Sequence, residues 1–220
     1  MNAELKDKLV IIPKPDYITW GDITELLHIG YAERANAGMQ YSATAQSVET
    51  TIKRVGDGIC LVGLIDGKLV ATETYNHIKR KDVKLKKWYH DNNFYLLHSL
   101  TVHPDYKKLG IGLKIRNYIR DEAIRNNIDS LISDTSEKAT WLIKWYDRLG
   151  HKKVGYTSHK ATNYYSVVMR TPLRGKKYGE TYRKIRLFIS YLFCRVLWKE
   201  NGEFRFLDKI AERIYKRYFK

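Results

Sequence analysis

Apolar residues along the chain follow two different spacings, which predict alternating strands and helices. Continuous apolar runs at residues 9–12 and 59–65 end at proline or at a turn, as buried strands do. Between these runs, apolar residues recur at helical spacing. Asp22 is predicted to cap a first helix, and Thr44 or Ser47 a second one.

The rest of the chain repeats this change of spacing. Asp66 and Gly67 predict a hairpin turn before a returning strand. An aromatic strand that begins at Phe94 must stop at Pro104, which has no N–H for a ladder, and a helix begins near Gly110. The later segments are a strand at 130–133, a helix at 138–149, and strands at 152–156 and 164–169. This order, β-α-α-β-β-β-α-β-α-β-β, predicts an α/β fold with a mixed central sheet of about seven strands flanked by helices.

A different pattern follows Pro172. Residues 181–199 are apolar nearly all round, which predicts a buried helix. A break at Asn201 and Gly202 precedes an apolar stripe from 207 to 218. We therefore predict one domain over residues 1–173 and a basic extension over 174–220. The extension should form a C-terminal helical hairpin, docked on the domain or on a second subunit as a homodimer.

Composition places this fold in a cellular compartment. The 220 residues suffice for a sizeable core, and their 44% hydrophobic content is that of a globular protein. Cys60 and Cys194 lie far apart, which suits a reducing compartment better than a disulfide framework. The charged first eight residues do not look like a secretion signal. We expect a cytoplasmic protein.

Net charge indicates what the chain associates with. The formal charge is +16, and residues 174–220 contain 14 Lys and Arg against 5 Asp and Glu. Such a surface attracts nucleic acid, an anionic membrane surface or an anionic small molecule. The basic, aromatic segment 79–93 is open to two interpretations, a flap over an anionic acceptor or a solvated hairpin.

Candidate chemistry lies in the turn between the central strand and the next helix. Strand, glycine turn and helix start together present free backbone N–H groups and a positive helix end to a phosphate. The phosphate loop G-x-x-x-x-G-K-[ST] is absent from the sequence. The dinucleotide pattern G-x-G-x-x-G fails because Ile115 occupies its third glycine position.

Two segments resemble motifs of the acetyl-CoA-dependent N-acetyltransferase superfamily (GNAT). Residues 107–112, KKLGIG, are similar to its pyrophosphate turn, [RQ]-x-x-G-x-[GA], with Lys107 in the usual Arg or Gln place. Residues 145–151, WYDRLGH, are similar to its L-Y-x-K-L-G-F, with His151 in place of Phe. The resemblance covers roughly residues 9–173. It implies transfer of acetyl from acetyl-CoA to a primary amine, such as an amino sugar or a nucleotide-linked sugar.

The resemblance also implies which residues bind acetyl-CoA. The pyrophosphate should lie on backbone N–H groups of the turn, formed by Lys107, Lys108, Leu109, Gly110, Ile111 and Gly112. The thioester carbonyl should lie where the central strand splays from its neighbour, at Leu100, Thr101 and Val102. One departure is Ala139, where the family commonly has an Asn that contacts CoA.

Acyl transfer to an amine needs a base and an acid. His98 is the leading candidate for the base, because an ordinary histidine titrates near ~6.5 and the family resemblance places a histidine here in the proton path. Glu73 is the second candidate for the base. Tyr146 occupies the family position of the acid that protonates the CoA thiolate. Each of these residues also has a purely structural interpretation, a strand histidine or a core aromatic.

Two further expectations complete the prediction. The remaining histidines are scattered without ligand spacing, so we expect no metal. The competing function is a module of the same shape that has lost catalysis and attaches to nucleic acid or membrane through its basic extension.

Overall fold

The computed structural model describes residues 8–79, 91–175 and 177–203, in which a mixed sheet of seven strands is flanked by five helices. The strands are β1 (Leu9–Pro13), β2 (Ile59–Ile65), β3 (Lys68–Lys79), β4 (Asn93–Val102), β5 (Ser130–Ser136), β6 (Lys152–Ser158) and β7 (Tyr165–Pro172). The helices are α1 (Trp20–Asn36), α2 (Val48–Val55), α3 (Ile111–Arg125), α4 (Thr140–Arg148) and α5 (Glu180–Leu197). The strand order is β1-β2-β3-β4-β5-β7-β6. The predicted fold class and element order are confirmed.

These residues divide into two compact units. The first contains the chain up to His77 together with Tyr95–Asn127, and the second contains Ile78–Phe94 and the chain from Ile128 onwards. Helix α5 belongs to the second unit with β5, β6 and β7. The domain boundary after residue 173 stays a prediction.

In the first unit, β2 pairs antiparallel with β1 and with β3. The turn between β2 and β3 uses Asp66 and Gly67, both at positive φ, as the sequence predicts for a tight hairpin. Ser47 caps α2 as predicted. The cap of α1, however, is Thr19 rather than Asp22. Asp22 is the third helical residue and completes a capping box by accepting from the Thr19 backbone N–H.

The sheet of the first unit is covered on both faces. Leu27 of α1 and Val55 of α2 pack with Val62 of β2 in one apolar cluster. Ile115 and Ile119 of α3 are fully buried on the other face. Apolar burial of this kind, at about 25 cal/mol per Å², is the main force that holds helices on a sheet.

In the second unit, β7 lies between β5 and β6 and pairs antiparallel with both. A buried ion pair joins Asp91, which precedes β4, to Arg170 of β7. The Arg170 guanidinium donates to both carboxylate oxygens of Asp91 at 2.6 and 2.7 Å, and Ser130 donates to the same carboxylate at 2.6 Å. Paired and hydrogen-bonded in this way, the buried charges are compensated.

The C-terminal extension is described in part. Helix α5 confirms the first predicted helix, but the expectation that it is buried all round is wrong. Only Ser190 and Cys194 are buried in α5, because a single face packs on its own unit. The second predicted helix, at 207–218, lies outside the described residues, as does most of the 79–93 segment. Cys60 and Cys194 are both buried, and neither forms a disulfide bond within the part of the chain that the structure describes.

Candidate active site

The turn before α3 has the backbone geometry that an anion needs. Lys108 and Gly110 both have left-handed φ, +63° and +79°, and Gly110 is the N-cap of α3 without a side-chain cap. A Cβ at Gly110 would meet nothing within 4 Å, so this glycine is required for its φ rather than for space. Leu109 and Ile111 are buried and hold the turn on the first unit.

The N–H groups of this turn are available. Within the described part of the chain, no backbone carbonyl accepts a hydrogen bond from the N–H groups of residues 108–113, and the first such donor is Lys114, which bonds to the Gly110 carbonyl. Free N–H groups at a helix N-terminus carry partial positive charge. The turn can therefore bind an anionic group.

The side-chain charge of Lys107 is paired with α1 rather than directed at the proposed anion site. Its ammonium group forms an ion pair with Glu33 of α1, and that hydrogen bond and charge hold the pKa of Glu33 below its ordinary value. The side chain that replaces the family's Arg or Gln thus links α1 to the turn. The backbone N–H of Lys107 donates to the Pro104 carbonyl at 3.1 Å, so the predicted pyrophosphate site starts at the N–H of Lys108.

Strand β4 is distorted just before the segment predicted to hold the thioester. Ser99 has φ +61°, which is costly for a non-glycine residue inside a strand and is a type of strain found at functional sites. Leu100 and Thr101, the next two residues, are buried. Gly30 of α1 lies so close to Thr101 that a Cβ on it would come within 2.2 Å of the Thr101 methyl group. Among the described residues, nothing pairs with the Thr101 hydroxyl.

His98 immediately precedes the distortion and is half-buried. Its Nε2 lies 2.8 Å from the side-chain oxygen of Asn76 on β3, and its Nδ1 lies 3.0 Å from the Ser99 hydroxyl. The amide nitrogen of Asn76 donates to the Val55 carbonyl at 2.8 Å, so the amide oxygen must face His98. Gly58 makes room for this amide, since a Cβ there would lie 2.4 Å from the Asn76 nitrogen.

These contacts fix the tautomer of neutral His98. An amide oxygen only accepts hydrogen bonds, so Nε2 must carry the proton and donate it. Nδ1 is then the basic nitrogen and accepts from the Ser99 hydroxyl. Sequence reasoning missed Asn76 because it lies 22 positions from His98 and nothing in its local pattern marks it.

Glu73, the second candidate base, lies in a different environment. Its carboxylate is fully buried, and one of its oxygens lies 2.6 Å from Nη2 of Arg116 on α3. Burial raises the pKa of Glu73 to about 7, although the positive charge of Arg116 acts in the opposite direction. Glu73 therefore has a suitable pKa for a base but is not exposed to solvent.

Tyr146 lies on α4 in the second unit and is almost fully buried. Its ring packs against those of Trp145 and His151, with centroids 5.1 and 5.5 Å away. The His151 backbone N–H donates to the Tyr146 carbonyl at 3.0 Å. His151 thus serves as an aromatic neighbour of Tyr146, in the place where the family has Phe.

The first unit contains the predicted turn, the predicted carbonyl segment and both candidate bases, while Tyr146 belongs to the second unit. In residues 8–79, 91–175 and 177–203, no three His, Cys, Asp or Glu residues come together as a metal site would require. No helix in the same residues is both long and apolar enough to cross a bilayer.

Comparisons with known proteins show which proteins this chain resembles in sequence and in fold. The sequence profile described as "Acetyltransferase (GNAT) family" matches residues 20–151. S-(2-succino)cysteine N-acetyltransferase of Bacillus subtilis is 24% identical over 140 residues, which are 60% of this chain and 78% of that protein.

Two solved structures have the same fold. The ribosomal-protein-S18-alanine N-acetyltransferase of Escherichia coli superposes with a TM-score of 0.54 at 17% identity, over 78% of this chain and 97% of that one. A GNAT family acetyltransferase of Elizabethkingia anophelis with acetyl-CoA bound gives a TM-score of 0.53 at 11% identity, over 76% and 99% of the two chains.

Proposed function

The chain belongs to the acetyltransferase (GNAT) family, and from that premise we propose that it transfers acetyl from acetyl-CoA directly to a primary amine. The observation that carries this proposal is the turn before α3, in which the backbone N–H groups of residues 108–112 are available. The start of a helix after a glycine turn is a site at which nucleotide-binding folds hold phosphate and pyrophosphate groups. Acetyl-CoA contains a pyrophosphate, together with the thioester that donates the acetyl group.

We assign the base role to His98. Its Nδ1 accepts a proton from the amine, either directly or through the Ser99 hydroxyl, and the amine then attacks the thioester carbon. Asn76 keeps Nε2 protonated throughout, so the basic nitrogen stays on the side of Ser99. Glu73 is the less suitable base because it is fully buried against Arg116.

Backbone groups and Tyr146 complete the assignment. The N–H groups of Leu100, Thr101 and Val102 follow the distortion at Ser99, and we propose that they stabilise the oxygen that becomes negative during attack. When the carbon–sulfur bond breaks, the electron pair goes to sulfur, and the Tyr146 hydroxyl supplies the proton that makes the free thiol.

The acceptor is proposed to be anionic. The chain has a formal charge of +16, which attracts anionic molecules. The relative from Bacillus subtilis is named for a cysteine that carries a succinate group. Candidate anionic acceptors are therefore amino acids with extra carboxylates and nucleotide-linked amino sugars, and unmodified amino sugars serve as analogues without negative charge.

Measurement of CoA release tests the function. Incubation with acetyl-CoA and a panel of these amines should release CoA faster with at least one anionic amine than with its neutral analogue. If acetyl-CoA binds but no amine stimulates CoA release, the non-catalytic alternative of a binding module is favoured.

Two glycines with nearly the same positive φ isolate the role of the turn. Gly110→Ala should raise KM for acetyl-CoA at least tenfold, because Gly110 has φ +79° at the proposed diphosphate site. Gly67→Ala is the matched control, since Gly67 has φ +77° in the β2–β3 hairpin and equally open space around it. An equal effect of both variants on KM would contradict the site.

Tyr146→Phe tests the acid. We expect kcat to fall roughly ten- to a hundredfold with little change in acetyl-CoA binding, since only the hydroxyl is removed. Tyr31→Phe provides a control at another buried tyrosine, which lies on α1. A wild-type kcat for Tyr146→Phe would show that this residue is a core aromatic.

A further inference from the structure

Helix α5 exposes a continuous apolar surface, which we call the outer stripe. Its members are Ile185, Phe188, Ile189, Leu192 and Val196, and each has between 42% and 62% of its area exposed. Their spacing of i, i+3, i+4, i+7 and i+11 places them on one side of the helix over about three turns. Contiguous apolar surfaces of this kind usually mark an interaction site.

The opposite side of α5 is anchored to the second unit, so the stripe cannot turn inward. Ser190 is fully buried and accepts a hydrogen bond from the Tyr156 N–H at 2.7 Å. Cys194 is buried one turn later. Arg195 forms an ion pair with Glu137, and its guanidinium lies 3.6 Å from the centroid of the Tyr191 ring. These contacts fix the rotation of the helix about its axis.

The charges around the stripe indicate the chemistry of its partner. The stripe contains no charged residue. The only acid of α5 is Glu180 in its first turn, and Lys184 neutralises it at 2.9 Å. Arg183, Lys184 and Arg186 lie in the same half of the helix. The full chain has a charge of +16, so an anionic partner is attracted, whereas a second copy of the chain is repelled.

We propose that α5 binds the surface of an anionic lipid bilayer, with the outer stripe inserted at the boundary between headgroups and acyl chains. An amphipathic helix that lies in the plane of the interface buries its apolar side there, and its basic residues contact anionic headgroups. Helix α5 does not meet the requirements of a membrane-spanning helix. The attachment is therefore peripheral, and the inference does not depend on acetyl transfer.

Vesicle co-sedimentation of the full-length protein tests this surface. Wild type should sediment with vesicles that contain 30% phosphatidylserine in phosphatidylcholine. It should bind at least tenfold less to pure phosphatidylcholine, and binding to the anionic vesicles should weaken as salt rises. Equal binding to both vesicles, or no binding to either, would overturn the proposal.

Matched variants locate the contact. Leu192→Glu and Phe188→Glu should each weaken binding at least tenfold, because both side chains lie in the stripe. Ile124→Glu is the control, since Ile124 is a 49% exposed apolar residue on α3 in the other unit, and its binding should equal that of wild type. If Ile124→Glu weakens binding as much, the lost net charge rather than the stripe is responsible.

Light scattering of the same proteins tests the alternative that a second copy of the chain covers the outer stripe. The proposal expects a monomer in the absence of vesicles at micromolar concentration, for wild type and both stripe variants. A wild-type dimer that Leu192→Glu converts to a monomer would assign the stripe to a second copy of the chain and overturn the membrane proposal. CoA release with a soluble amine should be the same for all variants.

Discussion

The two faces of the sheet in the first unit each hold one titratable side chain that could serve as a base, and their surroundings are opposite. Asn76 and Glu73 lie three positions apart on β3, so their side chains point to opposite faces. On the face of Asn76, His98 is half-buried between an amide and a hydroxyl. On the other face, Glu73 is fully buried against Arg116.

Comparison of Glu73 with His98 shows that a general base needs an accessible position as well as a suitable pKa. Burial gives Glu73 a pKa of about 7, near that of a base that works at neutral pH. The same burial removes the carboxylate from any substrate. His98 is hydrogen-bonded to an amide and a hydroxyl and is partly exposed, which allows proton exchange. We therefore interpret the Glu73 face as structural and the His98 face as catalytic.

Of the substitutions on the two faces, removal of Arg116 should have the largest effect, and that effect should be a loss of unfolding free energy. Arg116→Met leaves Glu73 buried without its partner, so that at pH 8 the carboxyl must either stay charged in the core or bind a proton. Loss of one member of a buried ion pair typically costs about 3–5 kcal/mol of unfolding free energy. Urea unfolding measures this. Arg125→Met, which breaks an exposed pair with Glu122, is the control and should shift the urea midpoint far less than Arg116→Met does. Similar losses for both variants would mean that the buried pair contributes little.

Removal of the His98 imidazole should act on catalysis instead. His98→Ala should lower kcat/KM by roughly a hundredfold or more, as loss of a general base does, and should change stability by only about 1 kcal/mol. The control is His77→Ala, because His77 is an exposed histidine on the neighbouring strand. A near-normal rate for His98→Ala would remove His98 from the mechanism and restore Glu73 as the candidate.

The pH dependence of stability tests the Glu73 face without breaking the pair. The pKa of Glu73 is about 7 in the folded protein, above its ordinary value of 4.5, so the folded state binds the proton more tightly. Proton binding by Glu73 therefore stabilises the folded state. This contribution to the free energy of unfolding is fully present below pH 4.5 and is lost as pH rises towards 7 and above. Unfolding free energy should fall by roughly 1–3 kcal/mol across this range from Glu73 alone.

Glu73→Gln is the control for that measurement. The amide has the same shape and does not titrate, so the loss of stability between pH 5 and pH 8 should be smaller in the variant than in wild type. Urea midpoints at four pH values would suffice. Identical curves for the two proteins would show that Glu73 does not titrate in this range.

The fold could be predicted from the sequence because the signals that define its strands and helices lie within each segment. Prolines and glycines end the strands, and the spacing of apolar residues sets the helices. Errors arose where two local signals compete, as at Thr19 and Asp22, which both favour a helix start and in fact form one capping box. The prediction that α5 is buried all round was wrong, because apolar content alone does not tell which side of a helix packs against the rest of the protein.

The candidate site was predictable only in its local parts. The glycine turn is a continuous motif, and the positive φ of Gly110 agrees with it. The partners of His98 and Glu73 are not local, since Asn76 and Arg116 come from other segments of the chain. Positive φ at Ser99 carries no sequence signal, because serine is not a residue that favours it.

Substitution of Asn76 should give the smallest effect and tests the His98 face most finely. Asn76→Ala removes the acceptor that keeps the proton on Nε2, so His98 can adopt the other tautomer and lose its basic Nδ1 for part of the time. We expect roughly a tenfold lower kcat and little change in KM for acetyl-CoA.

Asn76→Asp separates a positioning role from a merely structural one. The carboxylate still accepts from Nε2, so kcat should recover towards wild type relative to Asn76→Ala, although the donation to Val55 is lost. Its negative charge favours protonated His98, so the acidic limb of the pH profile of kcat/KM should move to higher pH. Asn76 would be structural only if both variants lowered stability alike and left that limb where it is in wild type.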